Sequence, residues 1–155
     1  MGTGEDRVTT LEAISVSALF AGALDISATA TLMRLQGTTV KRLLQFVASG
    51  ALGASAFNGG NRTAVFGLLC HFLIAAVAAS VYYAFGLQLP ILFEHPLLFG
   101  SLYGIAVHLV MSRIVVPLSK APTREFSIKA FVAQLVVHIV CVGIPIAFTQ
   151  SRFLQ

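Results

Sequence analysis

Asp25, His71, His108 and His138 are titratable side chains set inside long apolar stretches, and Arg113 follows shortly after His108. Ionisable groups are costly in hydrocarbon, so they face a bundle interior, pair with one another, or line a path for protons or ions. Counted along a helical rise, Asp25 and His71 lie roughly 12 Å in from one end of their stretches. His108 and His138 lie roughly 15–16 Å in, and Arg113 about 9 Å. Hydrocarbon is about 30 Å thick, so all five share one layer.

Such a layer admits several chemistries. Arg113 is the best ion-pair candidate for Asp25, whose carboxyl left alone at that depth would take its neutral form, and any of the three histidines could accept or donate a hydrogen bond to it. The pair would then be a buried clamp fixing helix register. The long stem of Arg113 could instead carry its charge to the membrane surface. Asp25 and the histidines could form a path for protons or ions. Three histidines and a carboxylate could close a tetrahedral metal site, with Cys141, one turn from His138, joining it. Two facing histidines could hold haem. The pattern demands no cofactor, and haem or metal stays an option at His71, His108, His138 and Cys141. Cys70 and Cys141 otherwise read as apolar packing thiols, and His95, beside Glu94 and Pro96, as a solvated loop residue.

The elements that must position this layer are membrane helices. The chain is 57% hydrophobic and 10% charged, far from the roughly 25% charge of a soluble domain. Four stretches reach the length of about 20 apolar residues that a span needs. They run about 11–33, 63–87, 97–119 and 127–149. The fold expected is all-α, a single domain over 1–155 built as a bundle of four transmembrane helices. The first stretch is read as a span, not a signal peptide, because Glu5, Asp6 and Arg7 precede it and no cleavage site follows.

Arg34, Lys41, Arg42 and Arg62 crowd the first loop, and Lys120, Arg124 and Lys129 the third. The second loop has neither Lys nor Arg. By the positive-inside rule, loops one and three are cytoplasmic and both termini outside. This distribution also accounts for the net charge of +4 without a nucleic-acid partner.

Within the first loop, about 39–57 has helical periodicity. Val40, Leu43, Leu44, Val47, Ala51 and Ala54 fall on one side, and Lys41, Arg42, Gln45 and Ser49 on the other. Thr38 or Thr39 can cap its start. It reads as an interfacial helix whose Lys41 and Arg42 meet anionic headgroups. The alternative is a re-entrant hairpin bending at Gly50 and Gly53. The short second and third loops predict that spans two and three pack together, as do three and four. Small residues mark the packing faces: Ser15, Ala18, Gly22 and Ala28 on span one, Ala75, Ala76, Ala79 and Ser80 on span two. Gly100 and Gly104 form a GxxxG on span three, read as packing within one chain. Cys70-His71-Phe72 in span two and Val137-His138-Ile139 in span four hint at two related hairpins.

No GxSxG, P-loop or HExxH is present. Cys70-His71-Phe72-Leu73, the Gly-rich third span ending His108-Leu109-Val110-Met111, Pro117-Leu118, Pro122 and the fourth span with His138 resemble the YagU-like family of small bacterial inner-membrane proteins. Leu44–Gly50 and Phe57-Asn58-Gly59-Gly60 are similar to proteins of this kind too. The resemblance covers about two thirds of the chain. It implies a four-helix protein of the bacterial inner membrane and brings no reaction or catalytic residues. The family's large outer-loop insertions are missing. Three functions are compatible with these residues. One is an accessory or structural subunit, alone in the bilayer, as a homo-oligomer or with other membrane subunits. The others are a small transporter or proton- and ion-handling protein, and a haem- or metal-binding redox subunit.

Overall fold

In a computed structural model, the backbone is described for residues 4–123 and 125–153, with side chains from Thr10 onward. Four charges used in the orientation argument, on Glu5, Asp6, Arg7 and Arg124, lie outside the described side chains. The regular structure of the described residues is helical, without a strand. The helices are α1 (Gly4–Leu35), α2 (Val40–Leu52), α3 (Gly60–Gln88), the single turn α4 (Ile91–Glu94), α5 (Pro96–Leu118) and α6 (Ile128–Phe153). Four of them, α1, α3, α5 and α6, are long and apolar enough to cross a membrane. This is the pattern of a multi-pass membrane protein.

The ends of these helices follow from local residues. α1 stops because Gly37 takes φ +79°. The Gly37 N–H then bonds to the Arg34 carbonyl and the Thr38 N–H to that of Met33, at 2.9 Å each. That is a Schellman ending, satisfying carbonyls that α1 leaves unpaired. Thr39 caps α2 by accepting from the Arg42 N–H at 3.2 Å. A 3₁₀ segment, Gly53–Asn58, leads into α3.

α5 and α6 each widen into a π-helical turn, at Met111–Val115 and His138–Gly143. Both turns sit two residues ahead of a proline, Pro117 and Pro145. A proline inside a helix has no N–H to give and its ring crowds the carbonyl four residues back. Widening relieves that crowding, and the N–H groups of Val116 and Ile144 reach the carbonyls of Met111 and Ile139 instead.

α1 lies between α3 and α6, and α5 packs on α6. Small residues set these approaches. Ala75 on α3 meets α1 at Gly22. Gly100, Gly104 and Gly143 let the backbones of α5 and α6 touch: a Cβ at Gly104 would stand 2.6 Å from the Ile139 Cα and 2.7 Å from the His138 carbonyl oxygen. The GxxxG thus serves packing within the chain.

The expected close packing of α3 on α5 does not occur. Their connection contains α4, and an aromatic wedge of Tyr82, Phe93 and Tyr103 holds the two backbones apart. The Tyr103 hydroxyl bridges the gap by donating to the Ala78 carbonyl at 2.6 Å.

α2 is rotated from its expected setting. Gln45 and Ser49, assigned to its polar side, are buried, while Ala51 is exposed. The cause is the contact with α3. Gly67 lets the Leu44 backbone lie directly against α3, and Gln45 donates to the Gly60 carbonyl at 3.0 Å. Gly50, expected as a possible bend, stays helical and accepts from the Lys120 N–H at 2.9 Å.

Gly104→Ala should lower stability by about 1–3 kcal/mol, because backbone rather than a flexible side chain must yield. The shift of the thermal midpoint in detergent measures it, against Ala106→Leu on the exposed face of α5 as control. An unchanged midpoint in Gly104→Ala would mean that α5 and α6 stand further apart.

Candidate functional site

The layer of ionisable residues divides in two. On the α1–α3 side, Gly22 and Asp25 are three residues apart, one above the other on the same helix face. A single imidazole, that of His71 on α3, meets both. Its Nε2 lies 2.9 Å from the Gly22 carbonyl oxygen, and its Nδ1 lies 3.9 Å from Asp25 Oδ2. The second distance is an ionic contact, too long for a hydrogen bond. The Phe72 ring stands edge-on to the imidazole at 5.4 Å. Asp25 Oδ1 is buried and has no hydrogen-bond partner.

On the α5–α6 side, the rings of His108 and His138 meet edge to face at 5.1 Å. His108 also stands against Phe131 at 4.6 Å. The π-helical turns place them: the Met111 N–H is shared between the carbonyls of His108 and Val107, and His138 opens the turn in α6. His138 Nδ1 is 2.7 Å from the Gln134 carbonyl oxygen, so it carries the hydrogen. His108 is buried, and its Nε2 has no hydrogen-bond partner.

Several expected associations are absent. Arg113 does not pair with Asp25. It is exposed, and its guanidinium lies over Phe131 at 5.6 Å and Phe126 at 5.9 Å. A long, flexible cation does better against aromatic faces near the helix end than desolvated at depth. Among the described residues, no group of three or more His, Cys, Asp or Glu side chains is placed to hold a metal. His71 is engaged with α1, and Cys141 joins no such group. The rings of His108 and His138 touch directly, which leaves no room for a porphyrin between them. Lys41 and Arg42 are both exposed, and the Arg42 guanidinium lies 4.0 Å over the Phe57 ring.

A second polar contact set was not singled out from the sequence. Gln150, fully buried near the end of α6, donates to the Ala79 carbonyl at 2.8 Å and to Ser17 Oγ at 3.1 Å. One side chain so joins α6, α3 and α1. The Tyr82 hydroxyl donates to the Leu92 carbonyl at 2.9 Å and pins α4. Thr29 donates weakly to Gln134 Oε1 at 3.4 Å across α1 and α6. The available signal was a lone uncharged amide, Gln150, in the last turns of an apolar helix.

No family model, curated protein or solved structure matches this chain. Its site is therefore read from its own geometry.

Breaking a buried ion pair would cost about 3–5 kcal/mol, whereas an exposed cation over an aromatic ring contributes about 0.5–1 kcal/mol. Arg113→Gln should accordingly cost less than about 1 kcal/mol in reversible unfolding from mixed micelles. A loss of several kcal/mol would restore Arg113 as the partner of Asp25.

Proposed function

We propose that this chain is an accessory or structural subunit of the bacterial inner membrane, related to the YagU-like proteins that it resembles, and that its polar residues lock helix register. The observation that carries this reading is where those side chains go. His71, Tyr103 and Gln150 each bond to a backbone carbonyl of a neighbouring spanning helix, and Gln45 does so from α2. Groups bonded in this way hold helices in place and do not line a passage. An open cleft of about 560 Å³ lies instead at the α4 end, between Glu94–Leu98, Ser101 and Phe148. None of the ionisable layer borders it.

In this reading α2 lies along the cytoplasmic surface, with Lys41 and Arg42 against anionic headgroups. Loops one and three are cytoplasmic and both termini lie outside. The exposed apolar side chains, among them Leu69, Leu73 and Leu102, face lipid and neighbouring membrane subunits.

Purified protein in liposomes should dissipate an imposed pH gradient no faster than protein-free liposomes. A proton or ion flux that is lost in Asp25→Asn would replace the structural reading with a transport one. In intact cells, a cysteine at Lys41→Cys should resist a membrane-impermeant maleimide applied from outside and react once the inner face is exposed. Labelling from outside alone would invert the orientation.

A further inference from the structure

The contacts of His71 allow its protons to be counted. A carbonyl oxygen only accepts, so the 2.9 Å contact with Gly22 requires a hydrogen on Nε2. Any further proton on this pair has two places to sit: His71 Nδ1 and the Asp25 carboxyl, whose nearest atoms are 3.9 Å apart.

Three occupancies follow. With no further proton, a carboxylate faces the bare lone pair of Nδ1. With two, an imidazolium stands beside a neutral acid. With one, the pair is neutral overall, either as carboxylate and imidazolium or as acid and imidazole. Unbalanced buried charge is the costly condition, and the surroundings do little to offset it. α6 brings the Cys141 thiol within electrostatic reach of Asp25. α3 contributes Cys70, adjacent in sequence, and the apolar Phe72 ring. Arg113 is committed to Phe126 and Phe131, and His108 and His138 to each other. No further charged side chain of α1 lies within two turns of Asp25, and Arg34, nine residues on, is exposed at the helix end. Asp25 Oδ1 is buried without a donor, and among the described residues His71 is the one ion-pair contact of the carboxylate.

We propose that Asp25 and His71 form a single half-buried proton-binding site that holds one proton between them. The proton sits on Oδ2 or on Nδ1 at the same net charge: carboxylic acid with imidazole, or carboxylate with imidazolium. The site goes beyond the register role, because a clamp needs the contact but not a fixed proton count.

The test is nitrogen NMR of histidine-labelled protein in lipid, together with infrared spectra of the carboxyl region, from about pH 5 to pH 8. Exposed His95 serves as the titrating reference. His71 should keep Nε2 protonated throughout and show no independent titration step. The imidazolium fraction of His71 and the acid fraction of Asp25, assigned by difference against Asp25→Asn, should sum to one. In Asp25→Asn, His71 should become a fixed neutral ring with Nε2–H. In His71→Gln, whose amide can still reach the Gly22 carbonyl, Asp25 should be wholly protonated. A sum near zero or two, a bare Nε2, or a carboxylate surviving in His71→Gln would overturn the proposal. The count is an equilibrium property, so it stands or falls separately from the liposome flux.

Discussion

Hydrogen-bonding partners inside this bundle can come only from the protein. Helices satisfy their own backbones, and a polar side chain facing inward bonds either back to its own helix, as Ser17 and Ser49 do, or to a group on a neighbouring one. The carbonyls of Gly22, Ala78 and Ala79 serve as such groups for His71, Tyr103 and Gln150. Reaching them requires close backbones, and the small residues supply the closeness. Gly22 removes the side chain that would otherwise stand against Phe72 and Ala75, and its carbonyl becomes accessible to His71. Packing by small residues and polar bonding across helices are therefore one arrangement here. Each interhelical hydrogen bond contributes modestly, about 0.6 kcal/mol on average, so direction matters more than strength. A bond to one carbonyl is lost when a helix slides or rotates.

The same dependence explains what the sequence discloses and what it withholds. Helix location was legible, because four apolar stretches of about 20 residues or more leave little choice. The existence of α2 was legible from its period, but its rotation was not. Gln45 looks solvent-facing on a helical wheel, yet the Gly60 carbonyl at the start of α3 offers it a buried acceptor. Counting residues places the ionisable side chains along their helices. It does not select among the partners open to Asp25, Arg113 or a histidine, since position along a helix says nothing of the direction in which a side chain points. Arg113 was the electrostatic choice for Asp25, and His71 is the geometric one because Gly22 and Asp25 share a helix face. The short link between α3 and α5 suggested direct packing, but aromatic bulk at Tyr82, Phe93 and Tyr103 overrides loop length.

Pro117 and Pro145 have consequences beyond their own turns. Each imposes a widened turn just before it. In α6 that turn begins at His138, and in α5 it follows His108 by three residues. The α6 turn lies at the Gly104 contact, where a Cβ would meet the Ile139 backbone and the His138 carbonyl. Two prolines and a glycine thereby bring two imidazoles into contact without any charge partner. That origin separates the His108–His138 pair from Asp25–His71: the first results from backbone shape, the second from an acid that needs a counterpart.

The two pairs also occupy different joints of the bundle. Asp25–His71 lies within the α1–α3 contact and His108–His138 within the α5–α6 contact. The contact between those halves, α1 against α6, is bridged by neutral groups: Gln150 to Ser17, and Thr29 to Gln134. Neutral bonds of this kind can lengthen or re-form at small cost, whereas separating Asp25 from His71 would expose an unbalanced charge. The joint itself is closed by packing: the buried cluster of Ala18, Ala21, Ala79, Tyr82, Val142, Ile146 and Ala147 lies across it, and Gln150 and Tyr103 reach the Ala79 and Ala78 carbonyls of α3 from the other half.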